Sequence, residues 1–219
     1  MSHAILPEKF LDWAYFGRVR FLKSLLEGGN TSGMKFLIES TRHTPALATA
    51  RIENGKLFLN AKVVGSGFVL KREFMEQAII ELKIHVESGR SIPSAEYNKR
   101  GIQLLLKLLY FENKEEAYQK LDFTKITTLE IGATIKGSSK HTWTNVQKSK
   151  EAVLLYYMPP SLSFEVRGKI EVHTSGVYYE FVNLVHDSFH YSSSSRKHKP
   201  CYVINVEEVY DNSATNEGF

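Results

Sequence analysis

The 219-residue sequence has a single cysteine, six prolines and no long apolar run. With Cys201 alone no intrachain disulfide can form, which is typical of an intracellular protein. The most apolar stretch, Ile102 to Phe111, contains Gln103 and Lys107 and is too short to cross a bilayer. The N-terminal residues lack the apolar core of a signal peptide, so we expect a cytoplasmic protein with no membrane segment.

Several sequence signatures of catalysis and nucleotide binding are also absent. There is no Gly-x-Gly-x-x-Gly pattern and no P-loop, and the serines at 192–195 lack a Gly-x-Ser-x-Gly elbow. The chain carries 28 basic and 24 acidic residues, an excess too small to predict a large phosphate-tracking surface. The basic segment 196–199 beside Tyr191 leaves open a weak nucleic-acid-binding module.

The first third of the chain predicts a helix followed by a β-meander. Apolar residues recur at helical spacing from Pro7 to Glu27, and two glycines follow. Three runs of strand character come next, at Met34 to Ser40, Ala46 to Glu53 and Lys56 to Val64. Asn54-Gly55 separates the last two runs and predicts a tight hairpin.

The rest of the chain predicts a helical segment and then more strands. Residues 71–121 have a period near 3.6, whereas the runs after Phe123 alternate or are continuously apolar. These runs are Ile126 to Ala133, Ala152 to Met158, Ser163 to Thr174, Val177 to Val185 and Cys201 to Val209. Ser175-Gly176 predicts a turn that pairs Val166 to Val172 with Val177 to Asn183. The sequence therefore predicts one α+β domain over residues 1–219: an antiparallel barrel with an N-terminal helix and a helical insertion at 71–121.

The strongest functional signal is the stretch of residues 136–145, Lys-Gly-Ser-Ser-Lys-His-Thr-Trp-Thr-Asn. A small-residue turn that opens a short helix directs backbone N–H groups, hydroxyls and ammonium groups at one point, which suits a phosphate. The alternative is an ordinary helix cap made by Thr142, with Trp143 as a core aromatic residue and Lys136 and Lys140 as solvated charges.

Together with Val146 and the apolar strand after Glu151, this stretch resembles the FMN-binding split-barrel superfamily, which includes pyridoxamine-phosphate-oxidase-like flavoproteins. Within that superfamily the sequence is most similar to an uncharacterised archaeal group of flavin-binding proteins whose barrel carries a helical excursion. The helical segments Arg72 to Lys83 and Ile102 to Tyr118 are the second similarity, although here they precede the turn instead of following it.

The resemblance implies an antiparallel split β-barrel, a homodimer, and FMN bound at the subunit interface. It assigns the cofactor contacts to seven residues: Lys136, Ser138, Ser139, Lys140, Thr142, Trp143 and Asn145. His141 or Trp143 would lie near the isoalloxazine ring, and Arg167, His173 and Asn183 would line it. The family includes both flavin-dependent oxidoreductases and plain binding proteins, so the resemblance leaves catalysis open.

A second candidate site is the group of potential metal ligands His186, His190, His198 and Cys201. Histidine and cysteine suit zinc, and two histidines four residues apart share one face of a helix. On the predicted strand, however, the same pair would be about 13 Å apart, too far for one ion. A non-enzymatic zinc-binding protein is therefore the alternative, together with surface histidines or a hydrogen-bonded His186–Asp187 pair at a ligand pocket.

Overall fold

The computed structural model describes residues 4–28, 33–131, 140–192 and 197–214. The helices are α1 (Glu8–Leu26), α2 (Met34–Ser40), α3 (Arg72–Ser88), α4 (Ser94–Leu108), α5 (Lys114–Lys120), α6 (His141–Lys148) and α7 (Gly176–Phe189). The strands are β1 (Ala46–Glu53), β2 (Lys56–Val63), β3 (Ser66–Gly67), β4 (Lys125–Leu129), β5 (Glu151–Met158), β6 (Leu162–His173) and β7 (Cys201–Asp211). Short 3₁₀ turns lie at Thr41–His43 and Gly89–Ser91.

All strands belong to one antiparallel sheet with the order β2-β1-β5-β6-β7-β4-β3. The hairpin between β1 and β2 turns at Asn54 and Gly55, which have φ angles of 52° and 73°. Positive φ at both central residues is the conformation that a two-residue hairpin requires. The predicted hairpin is therefore confirmed.

The two ends of this sheet are formed by adjacent pieces of the chain. Only Val64 and Gly65 separate the end of β2, which pairs with β1, from β3, which pairs with β4. One bent segment thus joins the first and last strands and curls the sheet into a barrel wall. The predicted fold class, an α+β split barrel with an N-terminal helix, is confirmed.

Helix α1 lies against the barrel because one of its faces is strongly apolar. Phe10 and Trp13 are buried and meet Tyr156 of β5 and Phe164 of β6 edge to face or tilted, with ring centroids 5.0–5.9 Å apart. Tyr15 is fully buried and its hydroxyl accepts a hydrogen bond from the Phe111 backbone N–H at 2.7 Å. These contacts fix α1 between the barrel and the helical segment.

Three helices, α3, α4 and α5, lie within the predicted helical insertion at 71–121. Helix α4 crosses α7 closely at Gly101, where an added Cβ would lie 2.1 Å from the Ser188 carbonyl oxygen. No side chain fits there, so Gly101 sets the distance between the two helices. In the described ranges no helix is both long and apolar enough to traverse a bilayer.

Two predicted strands are wrong. Met34–Ser40 forms helix α2, and residues 177–185 lie in helix α7, so the predicted pairing of β6 with this segment does not occur. Valines and tyrosines gave this segment strand character, but Phe181, Leu184 and Ser188 are buried at helical spacing. Strand β6 pairs with β5 and β7 instead. Residues 177–185 are therefore not needed as a partner strand, and they cover the barrel as a helix.

Candidate functional site

Helix α6 begins where the sequence predicts a phosphate-binding turn. Its N-cap residue is Lys140, which is in the left-handed conformation, with φ 42° and ψ 24°, and whose side chain makes no capping hydrogen bond. Thr142 therefore does not act as the predicted cap. Uncapped N–H groups at a helix N-terminus attract anions, because the helix dipole adds a partial positive charge there. Lys136, Ser138 and Ser139 lie outside the described residues.

Two hydrogen-bond clusters hold α6 on the β1–β2 hairpin. The buried Asn145 donates to the Thr49 carbonyl oxygen at 3.1 Å and accepts from Arg51 Nη1 at 2.7 Å. The hydroxyl oxygen of Thr142 accepts a hydrogen bond from Asn60 Nδ2 at 2.6 Å. Thr142 and Asn145 thus fix the position of the helix start.

A buried ion pair lies next to the segment that leads to the turn. Glu130 follows β4, is 1% exposed, and accepts two hydrogen bonds from Lys62 Nζ at 2.7 and 2.8 Å. The Tyr202 hydroxyl donates to the same carboxylate at 2.7 Å. Burial and the neighbouring carboxylate both raise the pKa of Tyr202, so its hydroxyl stays protonated as a donor. Nothing in the sequence predicted this cluster.

The residues predicted to line the flavin ring lie on separate elements. Arg167 is on the outer surface of β6, where it forms an ion pair with Glu165. His173 ends β6, and Asn183 lies in α7, where it exchanges two hydrogen bonds with the Lys199 backbone at 2.8 and 2.9 Å. Their role at a flavin stays a prediction, as does that of Trp143, which is partly buried against the core.

The histidine pair of the predicted zinc site comes together, but the cysteine does not join it. His186 lies in the last turn of α7 and His190 directly follows the helix, and their ring centroids are 4.5 Å apart. Cys201 is fully buried in β7, where desolvation raises its thiol pKa to about 12, so it is a poor zinc ligand. Within the described ranges no group of three or more histidine, cysteine or acidic side chains is arranged to hold a metal ion.

His186 instead forms the predicted pair with Asp187, its Nδ1 lying 3.1 Å from the Asp187 carboxylate. His186 also lines a cavity of about 650 Å³ between the helices and the β3–β4 end of the sheet. Arg18 of α1 lines the same cavity and was missed by the sequence reasoning. The sequence does contain a sign of this role. Arg18 is a charged residue four positions from both Ala14 and Leu22, on the apolar face of α1.

The geometry is that of an α+β split-barrel protein. No protein-family model and no curated protein matches the chain. Among solved structures it is similar to HupZ of Group A Streptococcus, with 12% identity, a TM-score of 0.41, and 78% of this chain and 86% of that chain covered.

Two further solved structures match over most of their length. A pyridoxamine 5′-phosphate oxidase-like protein of Listeria innocua has 9% identity and a TM-score of 0.40, with 89% of this chain and 97% of that chain covered. An FMN-binding protein of Syntrophomonas wolfei subsp. wolfei has 10% identity and a TM-score of 0.39, with 95% of each chain covered. Both proteins are of the kinds that the sequence was predicted to resemble, pyridoxamine-phosphate-oxidase-like and FMN-binding proteins. The similarity to an archaeal group stays a prediction.

Proposed function

We propose that this chain binds FMN and that the start of helix α6 holds its phosphate. The observation that carries the proposal is the first turn of α6, which the Lys140 side chain does not cap and which directly follows the Lys-Gly-Ser-Ser-Lys segment of the sequence. Backbone N–H groups, two hydroxyls and two ammonium groups would together supply the donors that a phosphate dianion requires. Bound FMN would supply redox chemistry through its isoalloxazine ring.

The contacts of α6 with the hairpin support a preformed phosphate site. Because Asn145 and Thr142 hold the helix on β1 and β2, its N-terminal groups do not have to be ordered when the ligand arrives. A preorganised site loses less conformational entropy on binding. Thr142 and Asn145 would therefore hold the start of α6 ready to orient the phosphate.

The first prediction concerns the phosphate contacts. Replacing Ser139 and Lys140 together with alanine should weaken FMN binding by about tenfold or more, since charge-assisted hydrogen bonds contribute about 1.5–3 kcal/mol. Quenching of flavin fluorescence during titration measures the affinity. Riboflavin has the same ring and no phosphate, so its affinity should not change.

Lys148→Ala is the matched control, because Lys148 is exposed at the opposite end of the same helix. It should bind FMN as the unaltered protein does. If the double variant also retains full FMN affinity, or if it loses FMN and riboflavin equally, the start of α6 is not the phosphate site.

The exterior of the sheet at β2, β1 and β5 supports the further proposal of a homodimer. This sheet face is formed by exposed apolar residues of three neighbouring strands: Ile52, Leu57, Leu59, Val63, Leu155 and Tyr157. Val63, Ala46 and Leu155 form one row across the strands in the observed register. An apolar patch on one face is self-complementary about a two-fold axis, as homodimer interfaces are.

The second prediction tests this interface. Leu59 is 73% exposed midway along β2, so Leu59→Glu should convert a dimer to a monomer by placing two like charges in the interface. Sedimentation equilibrium measures the mass. Ile84→Glu is the control, because Ile84 is 61% exposed on α3, outside this face. A monomeric unaltered protein, or equal dissociation by both variants, would contradict the proposal.

A further inference from the structure

The cavity between the helices and the sheet has the size and lining of a small-molecule site. Its volume is about 650 Å³, within the range of roughly 300–1,000 Å³ that ligand pockets have. Aromatic rings from several elements line it, among them Phe21 of α1, Phe68 before α3 and Phe181 of α7. Lys140, Thr142, Trp143 and Asn145, the described residues predicted to bind FMN, do not line it.

Arg18 brings a buried positive charge to this cavity. The residue is only 9% exposed, its Nε donates to the Tyr110 hydroxyl at 3.2 Å, and its guanidinium lies over the Tyr110 and Phe189 rings at 5.6 and 5.0 Å. In the described part of the chain no carboxylate forms an ion pair with it. A desolvated cation is normally paired, because aromatic faces and one hydroxyl offset only part of the cost of its burial.

Two further polar atoms at the cavity lack partners. His43 Nδ1 and Thr128 Oγ1 are buried, and among the described residues neither has a hydrogen-bond partner. Thr128 is only 2% exposed, so its hydroxyl group is buried. Buried polar groups of native proteins are normally satisfied, so these two atoms mark an incompletely satisfied wall beside Arg18. Neither atom has accessible surface, and Arg18 is therefore the group that carries the recognition of a ligand.

The charge of these groups selects the ligand class. Arg18 is one permanent positive charge, whereas burial beside Arg18 keeps the His43 ring neutral at neutral pH. The ring of His186 already has the Asp187 carboxylate beside it. Among the described lining residues Arg18 is the one permanent cation, and in an apolar cavity a single negative charge balances it.

We propose that this cavity binds an organic monoanion, a carboxylate or sulfonate on a flat apolar body, with the anionic group on Arg18. The aromatic walls would receive the apolar body. The site is distinct from the FMN site proposed at α6 and does not depend on it.

A pair of matched fluorescent probes tests the proposal. 8-Anilinonaphthalene-1-sulfonate and N-phenyl-1-naphthylamine have the same ring system, and only the first carries the sulfonate. Arg18→Met should weaken binding of the sulfonate at least about tenfold, as expected for one lost charge-assisted contact, and leave binding of the neutral amine within about twofold. Arg20→Met, at an exposed position of the same helix, should change neither affinity.

Further variants locate the bound probe. Val185→Trp fills the cavity from α7 and should abolish binding of both probes, whereas Ile84→Glu on α3, outside the cavity lining, should leave both unchanged. Retained binding of the neutral amine shows that the cavity survives in Arg18→Met. The proposal fails if Arg18→Met binds the sulfonate normally, if Val185→Trp still binds both probes, or if Ile84→Glu removes them.

Isothermal calorimetry separates this site from the flavin site. FMN should bind protein saturated with the sulfonate as tightly as it binds the free protein, and Arg18→Met should keep its FMN affinity. Competition between the two, with FMN binding lost in Arg18→Met, would place the flavin in the cavity and overturn a distinct site. Loss of FMN binding only in the Ser139 and Lys140 double variant would instead support both sites.

Discussion

Replacing Lys62 with methionine is expected to lower the free energy of unfolding by about 2–3 kcal/mol, because it leaves the buried Glu130 carboxylate without the cation of its partly exposed partner. Glu130 is 1% exposed, and both of its oxygens accept hydrogen bonds from Lys62. Without that ammonium group the Tyr202 hydroxyl is the remaining donor to the buried carboxylate. One hydroxyl does not compensate a full negative charge in the interior.

Chemical denaturation measures this loss, and a second substitution tests its cause. Glu130→Gln removes the uncompensated charge, so the Lys62→Met, Glu130→Gln double variant should recover most of the lost stability. Lys107→Met removes the exposed partner of Glu81, an ion pair whose lysine side chain is 64% exposed, and should cost less than about 1 kcal/mol. Equal losses in Lys62→Met and Lys107→Met would show that burial of Glu130 contributes nothing.

Acidification is expected to destabilise the protein through His43. Burial, with smaller contributions from Arg18 and His190, lowers the pKa of His43 from 6.5 to about 3. The His43 side chain of the unfolded chain therefore binds a proton near pH 6.5, whereas that of the folded chain stays neutral. The contribution of His43 to the free energy of unfolding is complete above pH 6.5 and declines below it. The decline is about 1.4 kcal/mol per pH unit, or about 2–3 kcal/mol by pH 4.5.

Unfolding curves at pH 7.5, 6.0 and 4.5 check this dependence. His43→Gln carries no titratable ring and should flatten the slope between pH 6.5 and 4.5, although His85, whose pKa burial also lowers, leaves a smaller slope. Arg18→Met should flatten it in part, because the guanidinium helps to keep His43 neutral. If His43→Gln retains the full slope, protonation of His43 is not what limits stability in acid.

Local signals predicted much of the fold because they depend on few residues. Asn54-Gly55 adopts the hairpin turn whatever lies elsewhere, and helix α3 follows from an apolar stripe that ends near Gly89. Helix α7 was not predictable in this way. Its valines and tyrosines suit a strand equally well, and the choice depends on β7 taking the place beside β6.

The candidate sites also differ in whether they depend on local sequence or on tertiary packing. The start of α6 was predicted from contiguous residues, although its attachment through Asn60 and Thr49 was not. Arg18, His43 and Thr128 come from α1, a short turn and β4, and meet only because the helices pack over the sheet. A cavity of this kind depends on tertiary packing, and a single sequence shows at most the misplaced charge of Arg18 on an apolar face.

Strand β7 is the last strand in chain order, yet it lies inside the sheet between β6 and β4. During synthesis the barrel wall therefore has a gap one strand wide until residue 211 has left the ribosome. The edges of β4 and β6 are open during that time, and open strand edges pair with other chains. The nascent chain is consequently most prone to aggregation just before β7 takes its place and the barrel closes.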